Sequence, residues 1–523
     1  MRAFPGRFGI GFFTALLFTI TGLAQETAPP EHLFFHVKLS ANFDRPASGR
    51  LMIFVQHAVG AKQVDMNQMD PTSVYIAAKE VEAWTPGATV DIDADDLVSP
   101  KPLSTAPIGD YEAQAVLDEG HTYNYAGRAP GDLVSEVVRF AAWSPRRDSG
   151  PTMTLSETQP DASPVTNLAT EEKAGFDSSI HPIDFVSPVL TAFWGRQIHM
   201  KGWVLTPPGY GSNGHSHYPT VYFTHGFGGT LNGLCNRYAP VFYDRMIHKQ
   251  MPEMIWVLLD ESSPTGTHEF ADSVNNGPWG AALTNELIPF LESQYRMDAR
   301  VSGRFLQGHS SGGWATLWLQ VTYPKIFGGT WSTSPDPSDF HAFSTVDLYA
   351  PHANFYRSPS GEAVPIIRDH GQVRATMEQL AKLERVTGNY GGQLRSFEWV
   401  FSPRGVDGTP MPIFDRETGE VDPAVAAYWQ SHYDIAHRIE ENWPSLAPDL
   451  RGKIHLIVGT EDTFYLDGAA HRLAQVLDKL GAESHVIFLP GKTHFDLYQT
   501  GNDRYALFDT IAAEMYAIAR PSH

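Results

Sequence analysis

The chain has 523 residues and a mass of 57.9 kDa, more than one compact domain usually needs and enough to bury a large core. Its formal charge of -21 at pH 7 argues against nucleic acid and anionic membranes as partners. Cys235 is the only cysteine, which excludes an internal disulfide.

The first residues have the pattern of a secretory leader. Arg2 and Arg7 precede an apolar stretch over residues 8–23, and a small residue stands at Ala24. The stretch is short and contains threonines, which favours cleavage over a retained membrane anchor. We therefore predict a signal peptide over residues 1–24, a secreted or periplasmic mature protein, and no stable membrane insertion.

The region 25–145 contains short apolar segments separated by Pro, Gly, Asn and Asp, without a helical period. The predicted strands are 33–40, 50–56, 74–77, 111–117 and 135–141. Alternation in the fourth strand places four side chains on one face: Tyr111, Ala113, Ala115 and Leu117. Strands of this length and spacing predict a small β-sandwich domain of immunoglobulin-like type.

Residues 146–180 are rich in Ser, Thr, Pro, Asp and Glu and poor in large apolar residues, which is typical of a linker. From 181 to 523, apolar segments alternate with amphipathic ones. The predicted strands are 220–224, 255–259, 304–307, 454–458 and 486–489, and the predicted helices include 283–295 and 468–480. This alternation predicts a mostly parallel sheet covered by helices on both faces.

The hexapeptide 308–313, Gly-His-Ser-Ser-Gly-Gly, lies between the strand 304–307 and a segment compatible with a helix, 314–323. This is the context of a nucleophile elbow, a tight strand-to-helix turn that exposes a serine hydroxyl. Glycines at 308 and 312 let the neighbouring backbones approach closely. The pattern predicts Ser310 as a catalytic nucleophile.

A serine hydroxyl needs a general base, which in turn needs a carboxylate to orient it. Asp462 follows the strand 454–458, and His494 follows the strand 486–489. Because one helix joins these strands, the two loops should be adjacent. We predict Asp462 as the acid and His494 as the base, and Glu461 and Asp467 remain alternatives for the acid.

The oxyanion of the tetrahedral intermediate needs two backbone N–H donors. We expect one from Ser311 and the other from Phe227, in the Gly-rich segment 225–229. The alternative for Phe227 is that the Gly-rich segment after the strand is required only for tight packing. The chemistry needs no cofactor, and no metal is predicted, since His215 and His217 alone are more typical of a solvent-facing loop.

These motifs, together with the segments 193–196, 205–210, 277–280 and 285–289, resemble the family of α/β-hydrolases called putative esterases, which includes esterase D and enterochelin esterase-like proteins. The resemblance covers about residues 183–515. It implies an α/β-hydrolase fold and a carboxylic-ester hydrolase that needs no metal, with Ser310, Asp462 and His494 as the catalytic triad. Some relatives transfer the acyl group to a sugar, which leaves the acceptor open.

Two regions depart from the family pattern, the N-terminal β-domain and an insertion over about residues 349–448. The insertion is dense in aromatic and charged residues, and we interpret it as a cap over the site. Within it, Tyr428, Trp429 and Trp443 are candidates for lining a pocket or for ordinary packing.

The sequence thus predicts an exported serine esterase that acts on a small-molecule or carbohydrate-linked ester. A serine peptidase or an acyltransferase of the same fold is the first alternative, although the β-domain is too short for the propeller that such peptidases usually carry. A non-catalytic binding protein on a hydrolase scaffold is the second, and the presence of all three triad residues disfavours it. The sequence leaves open the acyl and alcohol parts of the substrate, the role of the β-domain and the oligomeric state.

Overall fold

The computed structural model describes residues 32–67, 69–121, 127–160, 168–212, 214–388 and 392–521. The predicted signal peptide lies outside the described residues. Within them, none of the helices combines the length and the apolar character that a bilayer crossing requires. The described chain is organised around two large sheets, of nine and eight strands.

The N-terminal sheet is continuous and almost entirely antiparallel. Its strands are β1 (Phe34–Leu39), β2 (Ala47–His57), β3 (Tyr75–Trp84), β4 (Thr89–Asp93), β5 (Val98–Ser99), β6 (Gly109–Asp118), β7 (Leu133–Ser135), β8 (Val138–Trp143) and β9 (Thr152–Thr158). They are ordered β4-β1-β9-β7-β6-β2-β3-β5, with β8 on β6, and only β1 and β9 pair in parallel.

This sheet folds over on itself to enclose an apolar core. Phe35 of β1 and Trp143 of β8 belong to strands that are not paired, yet their ring centroids are 6.0 Å apart. The predicted face of β6 points into the same core, because Tyr111 and Leu117 are fully buried there. The strand-rich region before the hydrolase domain is therefore confirmed, with its two layers joined as one curved sheet.

The segment 146–180, which composition predicted to be a linker, contains regular structure. Strand β9 pairs with β1 and β7, and Met153 and Leu155 fill the core of the β-domain. A helix, α1 (Thr170–Ser179), follows and packs Phe176 against Tyr243 at 5.7 Å between ring centroids. Composition did not predict these elements because each has only one or two large apolar residues among polar neighbours.

The C-terminal region from residue 181, here named the catalytic domain for the function that the sequence predicts, is built on the second sheet. The remaining strands of the chain are β10 (Ile180–Val186), β11 (His199–Leu205), β12 (Thr220–Thr224), β13 (Ile255–Leu259), β14 (Ser262–Ser263), β15 (Gly266–Thr267), β16 (Asp272–Ser273), β17 (Gly277–Pro278), β18 (Arg304–His309), β19 (Gly329–Thr333), β20 (Pro365–Asp369), β21 (Gln372–Thr376), β22 (Ile454–Gly459) and β23 (His485–Leu489). The eight-stranded order is β10-β11-β13-β12-β18-β19-β22-β23, parallel from β13 to β23. Strands β10 and β11 form the antiparallel edge.

Helices cover both faces of this sheet, as the alternation of strands and helices predicted. They are α2 (Pro188–Trp194), α3 (Leu231–Gly233), α4 (Ala239–Ile247), α5 (Trp279–Ala282), α6 (Ile288–Gln294), α7 (Ser311–Thr322), α8 (Met377–Thr387), α9 (Gln393–Phe401), α10 (Pro423–Tyr433), α11 (Ile435–Leu450), α12 (Leu466–Leu480) and α13 (Ala506–Ala519), with π-helical turns at Leu234–Tyr238 and Leu283–Leu287. Phe223 of β12 packs among residues of α4 and α13, whereas its neighbour Tyr222 packs among residues of α6 and α7 on the other face. The fold is that of an α/β-hydrolase.

The insertion joins the catalytic domain to the β-domain. Leu383 and Val386 of α8 pack in one apolar cluster with Met52 and Phe54 on the outer face of β2. Arg50, with 2% of its side chain exposed, donates hydrogen bonds of 2.7 and 2.9 Å to the carbonyl oxygens of Val386 and Arg385. These contacts fix the β-domain to the C-terminal end of α8.

The aromatic residues of the insertion pack in its core. Trp429 is fully buried and donates its indole N–H to the hydroxyl of Ser402 at 2.9 Å. Trp443 belongs to the same apolar cluster, and Tyr428 stacks on His432 at its edge. Of the two roles considered for these side chains, the structure places them in ordinary packing.

Candidate active site

Ser310 occupies the sharp turn that joins β18 to α7. Its backbone has φ 61° and ψ -127°, a strained conformation for a residue with a side chain. The turn closes only because glycines flank it: a Cβ atom on Gly308 would stand 2.2 Å from the carbonyl oxygen of Gly312. The strain and the close approach are those of a nucleophile elbow.

His494 and Asp462 form a buried pair beside this turn. Nδ1 of His494 lies 2.8 Å from Oδ2 of Asp462, and 5% and 0% of the two side chains are exposed. Burial alone would raise the pKa of Asp462, but the His494 imidazole and a hydrogen bond from the Phe464 amide hold it below its ordinary value. The ionised carboxylate fixes the imidazole with Nε2 free for chemistry.

The structure pairs His494 with Asp462 and gives one of its two competitors in sequence, Asp467, a different partner. Asp467 lies at the start of α12 and accepts a hydrogen bond of 2.6 Å from Arg368, a residue of the insertion. The same guanidinium donates to the carbonyl oxygen of Asp462 at 2.8 Å, and the Arg368 amide donates to that of Thr463. Arg368 thus anchors the loop that carries the acid, and no local motif in the sequence indicated this.

Polar contacts to the central strands of the sheet hold the loop that carries His494. The Tyr498 hydroxyl accepts a hydrogen bond of 2.7 Å from Gln307 of β18 and lies 2.6 Å from the hydroxyl of Thr333 of β19. Burial lowers the pKa of His309 to about 3, so this residue packs as a neutral ring 4.3 Å from the ring of His494. These contacts restrict where the His494 ring can lie.

The Gly-rich segment that follows β12 runs beside the nucleophile. A Cβ atom on Gly226 would stand 3.0 Å from Cβ of Ser310, so a side chain there would crowd the nucleophile. Phe227 is buried and lines the same cavity as Ser310, and Ser311 is fully buried at the start of α7. Both residues proposed as oxyanion donors therefore adjoin the nucleophile.

His225 links the Gly-rich segment to the end of strand β13. Its Nε2 lies 3.0 Å from Oδ1 of Asp260 and its Nδ1 lies 2.8 Å from the carbonyl oxygen of Gly226. Burial opposes the charged imidazolium, but the hydrogen bond to Asp260 and the nearby Glu261 raise the pKa of His225 overall. The Glu261 amide also lies 3.2 Å from Nε2 of His225. These contacts tie the Gly-rich segment 225–229, the candidate oxyanion loop, to the end of β13.

Another buried carboxylate lies beside the candidate triad and was not found from the sequence. Asp336 follows β19 and accepts a hydrogen bond of 2.5 Å from the hydroxyl of Ser311. Burial raises its pKa to about 6, while the Ser311 bond and the His494 imidazole act in the opposite direction. Its position just past the carboxyl end of a core strand, where catalytic acids occur in this type of sheet, is the signal that could have indicated it.

Ser310 and His494 open into a cavity of about 350 Å³, which is large enough for a small ligand. Of the residues described, those lining this cavity come from strand β12, the candidate oxyanion loop, helix α3 and the residue before it, the π-helical turn Leu234–Tyr238, the elbow and the segment 494–508. The insertion contributes none of them, and its apolar residues pack against α7 and α12. Its interpretation as a cap over the site stays a prediction.

A smaller cavity of about 220 Å³ lies on the other side of the oxyanion loop. It is lined by Phe227 and Gly229, by the β14–β15 hairpin and by Gly120 of the β-domain. The β-domain therefore reaches the rim of the site. Within the described part of the chain, no group of three or more His, Cys, Asp or Glu side chains is arranged to hold a metal ion.

Comparisons with known proteins indicate the family of the chain. A family model described as "Putative esterase" matches residues 196–488. Similar solved structures include a ferulic acid esterase (13% identity, 65% of this chain and 97% of that chain, TM-score 0.39), an S-formylglutathione hydrolase from Agrobacterium tumefaciens (14%, 65% and 94%, 0.38) and a fluorophosphonate-binding serine hydrolase from Staphylococcus aureus (12%, 65% and 98%, 0.36). No curated protein matches the chain.

Replacement of the anchor in Arg368→Gln is expected to lower kcat by about ten- to a hundredfold with little change in KM, because a small displacement of the Asp462 loop misaligns His494. Steady-state kinetics on an ester substrate measure both constants. Arg374→Gln is the matched control, since Arg374 lies on the same hairpin and pairs only with Asp369 at the surface. A variant that loses thermal stability yet keeps its kcat would show that Arg368 is only structural.

The substitution Asp336→Asn is expected to raise stability relative to the wild type as the pH increases, while it lowers kcat. Because the folded state raises the pKa of Asp336, its contribution to stability is fullest at low pH and is lost as pH rises through about 6. The unfolding free energy of Asp336→Asn minus that of the wild type should therefore be more positive at pH 8 than at pH 5, by on the order of 1 kcal/mol.

At the same time kcat should fall by about tenfold, because the charged imidazolium of the transition state loses a nearby carboxylate. Urea denaturation at the two pH values measures the first effect and ester hydrolysis the second. The exposed Asp44→Asn is the control, and an identical stability difference at both pH values would contradict a raised pKa at Asp336.

Proposed function

The chain belongs to the α/β-hydrolase family described as "Putative esterase", since the family model matches more than half of its residues, and on that premise we propose that it is an exported serine esterase. It hydrolyses carboxylic esters through an acyl-enzyme intermediate on Ser310. The observation that carries this proposal is the strained Ser310 turn in the same cavity as the buried His494–Asp462 pair.

In the proposed first step, His494 accepts the proton of the Ser310 hydroxyl through Nε2 while Oγ attacks the ester carbonyl. The Asp462 carboxylate stabilises the imidazolium that forms. The Ser310 hydroxyl acts to lower the pKa of Asp336, against the larger effect of burial, which raises it.

The tetrahedral intermediate places a negative charge on the former carbonyl oxygen. We assign its stabilisation to the backbone N–H groups of Phe227 and Ser311, the second of which is also at the N-terminus of α7. The imidazolium of His494 then protonates the leaving alcohol. Water that His494 activates hydrolyses the acyl-Ser310 ester and returns the enzyme to its starting state.

Replacement of the nucleophile in Ser310→Ala is expected to lower the hydrolysis of p-nitrophenyl acetate, butyrate and octanoate by about 10⁴- to 10⁶-fold, because no acyl-enzyme can form. The measurement is the release of p-nitrophenol by the leaderless protein. Ser293→Ala, at an exposed position at the end of α6, is the matched control and should retain full activity.

Mass spectrometry after reaction with a fluorophosphonate should find one adduct, on Ser310, and none in Ser310→Ala. Cleavage of a peptide anilide with no cleavage of the esters would establish the peptidase alternative. Transfer of the acyl group to an added sugar in preference to water would establish the acyltransferase. Inertness of both proteins towards every substrate would favour the binding scaffold.

Export is supported by the leader pattern of residues 1–24. Expression of the full chain in a bacterium should release a mature protein outside the cytoplasm, with a new N-terminus at about Gln25. N-terminal sequencing of the purified product tests this. Recovery from the cytoplasm with the leader intact would contradict export without affecting the proposed chemistry.

A further inference from the structure

The cavity at Ser310 has a charge opposite to that of the protein. The chain carries 59 acidic and 38 basic residues, yet no Asp or Glu is among the residues that line this cavity, whereas two arginines are. The arginines are Arg237 and Arg504. A cationic cavity in an acidic protein calls for a specific explanation.

Arg237 is placed at the cavity by an irregularity of the backbone. It lies in the π-helical turn Leu234–Tyr238, which directly precedes α4. A π-helical turn changes the direction of the side chains that follow it and occurs frequently at functional sites. The Arg237 guanidinium lies 5.5 Å from the ring centroid of Tyr238, which also lines the cavity.

Arg504 lies in the segment between the His494 loop and α13. Its acidic neighbours Asp503 and Asp509 both form ion pairs with Arg245, so they do not neutralise it. Neither Arg237 nor Arg504 has a hydrogen-bond or ion-pair partner among the described residues, and both side chains are exposed at the mouth of the cavity. Two guanidinium groups without a counterion can each bind an oxyanion through paired N–H donors.

The rest of the cavity wall is largely aromatic. Phe227 and Phe495 line the cavity together with Ser310 and His494. Tyr238 and Tyr505, which line it too, are the sequence neighbours of the two arginines. An apolar wall of this kind binds the body of a ligand, while a few polar groups orient it.

We propose that the substrate is an ester whose apolar body carries an anionic group, a carboxylate or a phosphate, and that Arg237 and Arg504 bind this group. The inference rests on the proposed esterase function and narrows it to a substrate class. Arg237 and Arg504 determine specificity and take no part in bond cleavage.

The test compares two matched pairs of esters. In the first, mono-4-nitrophenyl glutarate is anionic on the acyl side and its methyl ester is neutral. In the second, 4-(butyryloxy)benzoate is anionic on the alcohol side and its carboxamide is neutral. In at least one pair the wild type should give a kcat/KM for the anionic ester at least tenfold higher, and the pair that responds identifies the side of the scissile bond on which the arginines act.

Arg237→Gln and Arg504→Gln should each lower the ratio of anionic to neutral kcat/KM by about tenfold, the size of a lost hydrogen bond to a charged group. Lys325→Gln removes one positive charge from a remote exposed side chain and should leave the ratio unchanged. A wild-type preference for the neutral ester in both pairs, or a ratio that neither arginine variant alters, would overturn the inference.

The outcome for the esterase function is read separately, from whether any of the four esters is hydrolysed. If the wild type hydrolyses none of them, or if Ser310→Ala hydrolyses them equally well, the proposed function is wrong. Calorimetric binding of glutaric acid mono-4-nitroanilide and of 4-(butyrylamino)benzoate to Ser310→Ala, with and without Arg237→Gln, then tests the anion site alone on either side of the scissile bond. Binding of one of them that weakens about tenfold with the second substitution supports the site, and equal or absent binding of both overturns it.

Discussion

The site depends on the buried hydrogen bond of 2.8 Å between His494 and Asp462. In a low-dielectric environment an unpaired carboxylate or imidazolium is costly, so each member of the pair constrains the other. The surrounding loops supply the remaining order. Arg368 fixes the acid loop from the insertion, and Tyr498 fixes the histidine loop from the central strands. The two catalytic loops are therefore supported from different parts of the chain.

The charges of the protein act on an approaching anion differently at long and at short distance. The overall negative charge of the protein repels anions at long range, but salt screens that repulsion beyond roughly 8–10 Å. Inside that distance, an anion at the cavity mouth interacts mainly with Arg237 and Arg504. Beneath the nucleophile, burial raises the pKa of Glu261 to about 8, which favours its neutral form at pH 7. Asp336, with a pKa of about 6, and Asp462 are mainly ionised at that pH, and neither of them lines the cavity.

The local signals in the sequence were sufficient for the fold class and for the candidate triad. The α/β-hydrolase fold was predictable because buried parallel strands are continuous apolar segments, and the elbow at Ser310 was recognisable because its steric demands leave a short glycine pattern. The roles of Arg368 and Asp336 were not predictable in this way. Arg368 acts on a carbonyl group 94 residues away, and a backbone contact leaves no pattern in either segment. The position of the insertion was also not predictable, because it is set by packing between segments that are distant in the sequence, such as α8 and β2.

During synthesis, the N-terminal sheet emerges from the ribosome long before the helix that covers its outer face. Arg50 and its hydrogen-bond acceptor Val386 are 336 residues apart, which at typical rates of about 5–20 residues per second corresponds to roughly 20–70 s. Over that interval Met52 and Phe54 have no partner on α8. The nascent β-domain therefore presents an apolar surface of the kind that chaperones bind, and it reaches its final state only when the catalytic domain has been translated.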